Sequence, residues 1–412
     1  MTAIPNLADP RSHAEHDLAE VWRGLRSGDP VHWQPETEHG PGFWAVTRHR
    51  DVSGVLRDPA RFTSERGNVL VTLLHGEDAG SGRMLAVTDG PRHTELRRLL
   101  LRAFAPRALE GVVRQVRRTT RRLLVEALEK TRDTEACDFA QAIASYIPLA
   151  TICDLLDVPA ADRDHVLALT RSALASDYER PEAGADRAAR GEILLYFTDL
   201  VRARRRAPGA DVISLLATAD LGGGGRLGDE DIVLNCYSLI MGGDETSRLA
   251  MIGAVRALID NPDQWRALRR GDVTVESAAE EVLRWTTPTM HFGRVATSDV
   301  ELCGRTIAAG DVVTLWLASA NRDESVFAEP DRFDLARSPN PHLSLGYGPH
   351  FCLGAYLGRV EISTVLDALR TFVSGIDRAG PERRIYSNFL SGLSSLPVTM
   401  RADPSGPARW TE

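Results

Sequence analysis

Residues 342–361 constrain this chain more than any other stretch. They read His-Leu-Ser-Leu-Gly-Tyr-Gly-Pro-His-Phe-Cys-Leu-Gly-Ala-Tyr-Leu-Gly-Arg-Val-Glu. Gly346, Gly348 and Pro349 demand a tight turn, because glycine accepts positive φ and proline fixes φ. Beyond Cys352, the residues Leu353, Tyr356, Leu357, Val360 and Val365 recur at helical spacing. That spacing sets Cys352 at or beside a helix N-terminus, where backbone N–H groups and the helix dipole favour a thiolate. A buried thiolate suits a metal that takes one soft, anionic ligand. The other reading is a structural cysteine in a glycine-rich loop, and for a lone cysteine that reading is the favoured one.

The rest of the chain bounds the answer. Its 412 residues are 43% hydrophobic, enough for a large core. No Ser/Gly/Pro linker divides it, so one domain over residues 1–412 is expected. The first sixteen residues hold no apolar run, so neither a signal peptide nor a membrane anchor is expected. Cys137, Cys153, Cys236, Cys303 and Cys352 are scattered without a CxxC pair, which argues against a disulfide scaffold or zinc knuckle. A cytoplasmic setting fits. The net charge of -8 argues against general nucleic-acid binding. Among 49 basic residues only Lys130 is a lysine, so arginine clusters carry little weight as signals.

Residues 42–47 read as a short strand and 52–56 as a helix. Residues 68–84 are glycine-rich and read as a surface loop. Residues 88–98 open a helix, with an N-cap candidate and Pro91 in the first turn. His93 and Arg97 share a face there, which by itself reads as a solvated basic surface. Residues 172–189 are polar, and 222–225 form a glycine loop. A long helical pattern covers residues 229–259 and is interrupted by Gly242 and Gly243. Two glycines inside a helix cost about 1 kcal/mol each against alanine, which suggests close approach of something flat or a kink. Thr246 can bond the Gly242 carbonyl and loosen the helix further. Glu281 and Arg284, three apart, pair on another helix. Residues 295–316 alternate as short strands, and 388–393 form a hairpin.

The run Gly346-x-Gly348-x-His350-x-Cys352-Leu353-Gly354 resembles the haem-thiolate loop of the cytochrome P450 monooxygenases, and the other motifs follow in that family's order. The resemblance implies a mainly α fold with a minor β region in the family's triangular architecture. It implies haem b, with Cys352 as the axial iron ligand and Leu345, Gly346 and Gly354 shaping the loop against it. Leu345 stands where the family usually has phenylalanine. His93, Arg97, Arg294 and His350 match propionate ligands. Gly242 and Gly243 match the oxygen groove, with Gly242 in place of the usual alanine. Thr246 and Glu245 match the proton-delivery pair, ahead of Asp244. Glu281 and Arg284 match the pair that locks the region behind the haem loop, with Arg332 as third partner and Arg337 as the alternative.

Residues 68–84 become the roof of a substrate pocket by the same resemblance, and 172–189 part of its mobile helix pair. Pocket candidates are Val69, Leu70, Leu73, Tyr237, Met241, Thr289, Met290, His291, Phe292, Leu390 and Leu393, a mainly apolar set. The implied activity is oxidation of a small organic molecule with dioxygen, by hydroxylation or epoxidation, in bacterial secondary metabolism. The substrate is free or tethered to a carrier protein. With no flavin or nicotinamide motif in the chain, electrons are expected from a ferredoxin and its reductase. The rivals are coupling or nitration on the same fold, peroxide-driven oxidation, and a non-catalytic haem or carrier-binding module. Glu245 and Thr246 argue against the peroxide-driven type, and the full motif set argues against the last.

Overall fold

The computed structural model describes residues 4–76, 78–131, 136–174, 184–220 and 225–406. It is mainly helical with a minor sheet component. The expected loop at 222–225 lies almost wholly outside the described residues, as does the middle of the 172–189 stretch.

The long central pattern is two helices, Asp229–Gly243 and Glu245–Asp260, separated at Asp244. The break falls where the core changes hands. Ile232, Val233, Cys236 and Ile240 pack with the helices Gly90–Ala103, Tyr146–Leu155, Arg163–Leu174 and Ala185–Arg206. Ala250, Met251, Ile252 and Val255 pack with Glu110–Lys130, Val275–Thr286 and Ala355–Phe372. Each half follows its own apolar cluster, and the glycine pair supplies the weak point between them.

A five-stranded sheet runs in the order Val31–Gln34, Phe43–Val46, Val312–Trp316, His291–Ala296, Phe62–Thr63. Only the Phe43–Val46 and Val312–Trp316 pair is parallel. The His291–Ala296 strand is paired on both sides, which carries Arg294 into the interior. A three-stranded sheet joins Cys137–Asp138, Pro397–Ala402 and Val373–Arg378. Arg383–Arg384 and Leu393–Ser395 form a hairpin wider than the expected 388–393, and residues 388–392 lie in its loop, which pairs with Thr289 through Leu390.

Two local expectations change. The glycine-rich roof contains a helix, Leu70–His75, because Leu70 and Leu73 find a core to bury against. The helix after the cysteine begins at Ala355, since the chain is still turning at Leu353 and Gly354.

Candidate functional site

Gly346 and Gly348 both take positive φ, +72° and +71°. A side chain at Gly348 would also approach the Leu56 carbonyl oxygen to 2.7 Å, so only glycine fits. After a turn over Gly348–His350, the Cys352 N–H donates to the Leu345 carbonyl at 2.8 Å. Leu345 packs against the largest core cluster and anchors that bond. Cys137, Cys153 and Cys236 are buried, whereas Cys352 is open. Desolvation nevertheless holds the Cys352 thiol above its usual pKa, outweighing the Gly354 N–H and the charges of Arg97 and Arg359. A thiolate at this helix end, as the sequence suggests, would gain from a metal cation on sulfur, since the nearby partial charges offset burial only in part.

Beside this loop lies a cradle of donors. His93 is buried, and its Nε2 has no partner among the described residues. Burial first, then the His350 and Arg97 charges, lower its pKa to about 4, so the ring is neutral. The His93 and His350 rings lie 4.3 Å apart. Arg97 NH2 donates to the Phe351 carbonyl at 2.7 Å, one residue before the cysteine. Arg294 is buried, its NH1 donates to the Gly293 carbonyl at 2.6 Å, and no carboxylate pairs with it among the described residues. Burial depresses its pKa to about 10, and the Asp89 charge opposes that. A buried guanidinium and a buried orphan imidazole nitrogen are costly unless an anion reaches them. A flat cofactor with two carboxylates, bound through its metal to Cys352, meets that need.

Behind the loop, Glu281 and Arg284 are wholly buried, and Glu281 is the centre of a knot of polar contacts. Arg284 grips it with Nε to Oε2 at 2.8 Å and NH2 to Oε1 at 2.7 Å. The third arginine is Arg337, with Nε to Glu281 Oε2 at 3.1 Å. Arg332, the first choice from sequence, is exposed and pairs with Glu329 instead. It contributes its carbonyl, which accepts from Arg284 and Arg337. The turn after Phe333 brings Arg337 back over the helix, a path that spacing alone does not specify. Asn340 and the Asp334 N–H complete the shell around Glu281.

At the helix break, Thr246 Oγ1 donates to the Gly242 carbonyl at 2.9 Å, as the spacing implied. Gly242 is exposed and has open space where a side chain would sit. Glu245 and Arg248 form a buried ion pair. Asp244 is buried, with Oδ1 unpartnered among the described residues. Desolvation, then the Glu245 charge, raises its pKa to about 8. Glu361, also buried, is raised by desolvation to about 7, against hydrogen bonds from Ser247 and Thr151. Neither Asp244's burial nor Glu361 was legible in the motif, since both depend on packing between helices.

The pocket candidates divide. Met290, Leu390 and Leu393 line one cleft of about 450 Å³ with Leu249, Trp285 and Arg322. Leu70 is wholly buried in a cluster with Phe43 and Trp316 and has no accessible face. His291 is also wholly buried, against Trp316 and Phe389, with both ring nitrogens unpartnered among the described residues. Val69, Leu73, Tyr237, Met241, Thr289 and Phe292 are buried to intermediate, on the roof segment, the Asp229–Gly243 helix and the start of the His291–Ala296 strand or just before it.

Taken together, the mainly helical fold and the cysteine loop beside an anion-seeking cradle define a haem-thiolate protein. The family model described as Cytochrome P450 matches residues 199–399. Cytochrome P450 NovI of Streptomyces niveus is 50% identical over 393 residues, 95% of this chain and 95% of that protein. Linalool 8-monooxygenase of Pseudomonas putida is 32% identical, covering 96% and 98% of the two chains. Among solved structures, P450 OxyD, involved in the biosynthesis of vancomycin-type antibiotics, superposes with a TM-score of 0.88 at 37% identity, covering 97% of this chain and all of that one. P450BioI, solved in complex with an acyl carrier protein ligated to hexadec-9Z-enoic acid, gives 0.82 at 29% identity, covering 93% and 98%. The chain belongs to the cytochrome P450 family. It is a haem-thiolate monooxygenase with iron protoporphyrin IX as cofactor. Such enzymes use dioxygen and electrons from redox partners. Among the described residues, no helix is long and apolar enough to cross a membrane.

Proposed function

We propose that Cys352 is the iron ligand and that His93, Arg97, Arg294 and His350 hold the haem propionates, in a single domain spanning residues 1–412. The observation that carries this reading is a pair of buried groups, His93 Nε2 with no partner and the Arg294 guanidinium with no carboxylate among the described residues. When bound, the haem supplies dioxygen activation, with the thiolate favouring O–O cleavage. The chain supplies the rest. Gly242 leaves room over the groove. Thr246 Oγ1 is the terminal hydroxyl of a proton path, and the Glu245 side supplies its carboxyl. Glu281, Arg284 and Arg337 fix the wall behind the cysteine loop.

The substrate class is a small organic molecule of bacterial secondary metabolism, by likeness to NovI and OxyD. A carrier-tethered substrate is the second reading, favoured by the likeness to P450BioI captured with its loaded carrier protein. The electron donor is a ferredoxin served by its reductase, in the cytoplasm. The test is the reduced carbon monoxide spectrum. The wild type shows a strongly red-shifted Soret band and Cys352→His loses it; retention of the band in the variant overturns the ligand assignment. Turnover with a ferredoxin system on free and carrier-bound forms of one compound separates the two substrate readings.

A further inference from the structure

The geometry points to Asp89 as the residue that positions His350 in the haem cradle, an inference that rests on the cofactor reading above. Asp89 occupies the N-cap position of the Gly90–Ala103 helix, yet its side chain makes no capping bond there. Its carboxylate is spent elsewhere. Oδ2 accepts from Thr63 Oγ1 at 2.7 Å and from the Ser64 N–H at 2.7 Å. Oδ1 accepts from His350 Nε2 at 2.8 Å. Ser64 Oγ lies 3.3 Å from the same nitrogen. One carboxylate thus joins the Phe62–Thr63 strand, the His93 helix and the cysteine loop, three segments distant in sequence. These bonds bring its pKa down to about 2 against the cost of burial, so it is a full anion at neutral pH.

With Nε2 donating to Asp89, Nδ1 is the His350 nitrogen left to face the cradle, and it donates to a carboxylate there only from the doubly protonated ring. The His93 ring, 4.3 Å away, fixes the imidazole from one side. Asp89 touches neither metal nor substrate in this arrangement; it acts through His350. It is the outer partner that fixes the direction of a ligand ring, and loss of such partners typically weakens binding about 10–100-fold.

The experiment uses haem-loaded enzyme and follows haem transfer to excess apomyoglobin together with the iron reduction potential. Asp89→Asn should lose haem about tenfold faster and shift the potential, and Asp89→Glu should recover most of both. In a His350→Ala background, Asp89→Asn should add nothing. Thr63→Val, which removes one of the two strand-side bonds to Asp89 together with the acceptor of the Glu65 N–H, should leave the potential in place. The inference is overturned if Asp89→Asn and His350→Ala are additive, or if Thr63→Val reproduces the full effect, since either result makes Asp89 a fastener of backbone only. Should Asp89→Asn fail to retain any haem, Asp89→Glu carries the test, and a potential unlike wild type in a stably loaded variant counts against the inference. Failure of the parent reading is seen separately, as a missing Cys352-dependent Soret band in the wild type.

Discussion

Arg248 closes on Glu245 from one turn further along the same helix, Nε to Oε2 at 3.0 Å, with the side chains only 2% and 1% exposed. The pair gives Glu245 two duties, because its carboxylate neutralises a buried cation as well as flanking Thr246. Removing one charge of a buried pair costs about 3–5 kcal/mol. Glu245→Gln should therefore melt at a lower temperature and slow oxygen consumption, with substrate affinity unchanged. Thermal melts beside substrate-binding spectra check this, and an unaltered melting temperature would show that the pair opens freely.

Thr246 presents the opposite case, a hydroxyl with a single bond to its own helix at the Gly242 carbonyl. Thr246→Ala loses the hydroxyl without leaving a buried charge. The variant should bind substrate and consume reductant at near wild-type rates, yet release much of the oxygen as hydrogen peroxide. Unchanged coupling of reductant to product would remove Thr246 from the proton path.

Asp244 gives the pH prediction. Its folded pKa of about 8 stands above the ordinary 3.8, so the native state favours the neutral acid. For a raised pKa, the stabilisation is complete below the unfolded value and fades as pH rises through the folded one. Asp244→Asn keeps a neutral side chain at every pH. Its melting temperature relative to wild type should rise by on the order of 2–4 °C between about pH 6 and about pH 9. A constant difference over that range would mean that Asp244 is ionised in the fold. Glu361 titrates in the same direction, near 7, and cancels in the comparison.

The donor prediction rests on the surface around the cysteine loop. Leu101, Tyr347, Phe351 and Tyr356 are exposed there or on the neighbouring helices, and Arg57 stacks 4.4 Å over Tyr347. Arg98 and Arg102 are exposed and make no ion pair among the described residues. Arg359 is already paired with Glu280, at 3.1 Å for NH2. Reduction by an acidic ferredoxin should slow as salt rises. Arg102→Glu should slow it by about tenfold and Arg359→Glu by less. A rate indifferent to ionic strength would place the donor elsewhere.

What the sequence disclosed was local. The glycines of the cysteine loop, the four-residue step from His93 to Arg97, the Gly242–Thr246 loosening and the Glu281–Arg284 step are each set by spacing within one element. What it hid was set by packing between elements. Asp89 reads as a helix cap, yet its carboxylate is taken by Thr63, Ser64 and His350, the last 261 residues away. Leu70 and His291 read as pocket residues because they are apolar or aromatic near the right motifs. Their burial depends on Trp316, Phe43 and Phe389, which no local pattern ties to them.

The last prediction separates two arginines that sequence alone left as alternatives. Glu281 is wholly buried, and its Oε2 collects Arg284 Nε, Arg337 Nε and Asn340 Nδ2 at 2.8, 3.1 and 3.1 Å. Arg337 also donates to the carbonyls of Ala328, Glu329 and Arg332, tying the approach to the cysteine loop in place. Arg337→Ala strips Glu281 of one of two cations and takes a donor from three carbonyls, of which those of Glu329 and Arg332 keep another. It should cost about 3–5 kcal/mol and loosen haem, because the stretch it ties leads directly to Cys352. Arg332 lies at the surface beside Glu329, and its useful group is the backbone carbonyl, which alanine retains. Arg332→Ala should stay within about 0.5 kcal/mol of wild type. Chemical denaturation of the two variants, followed by the Soret band and by circular dichroism, measures both terms. Equal losses, or a larger loss for Arg332→Ala, would return the third place in the knot to Arg332.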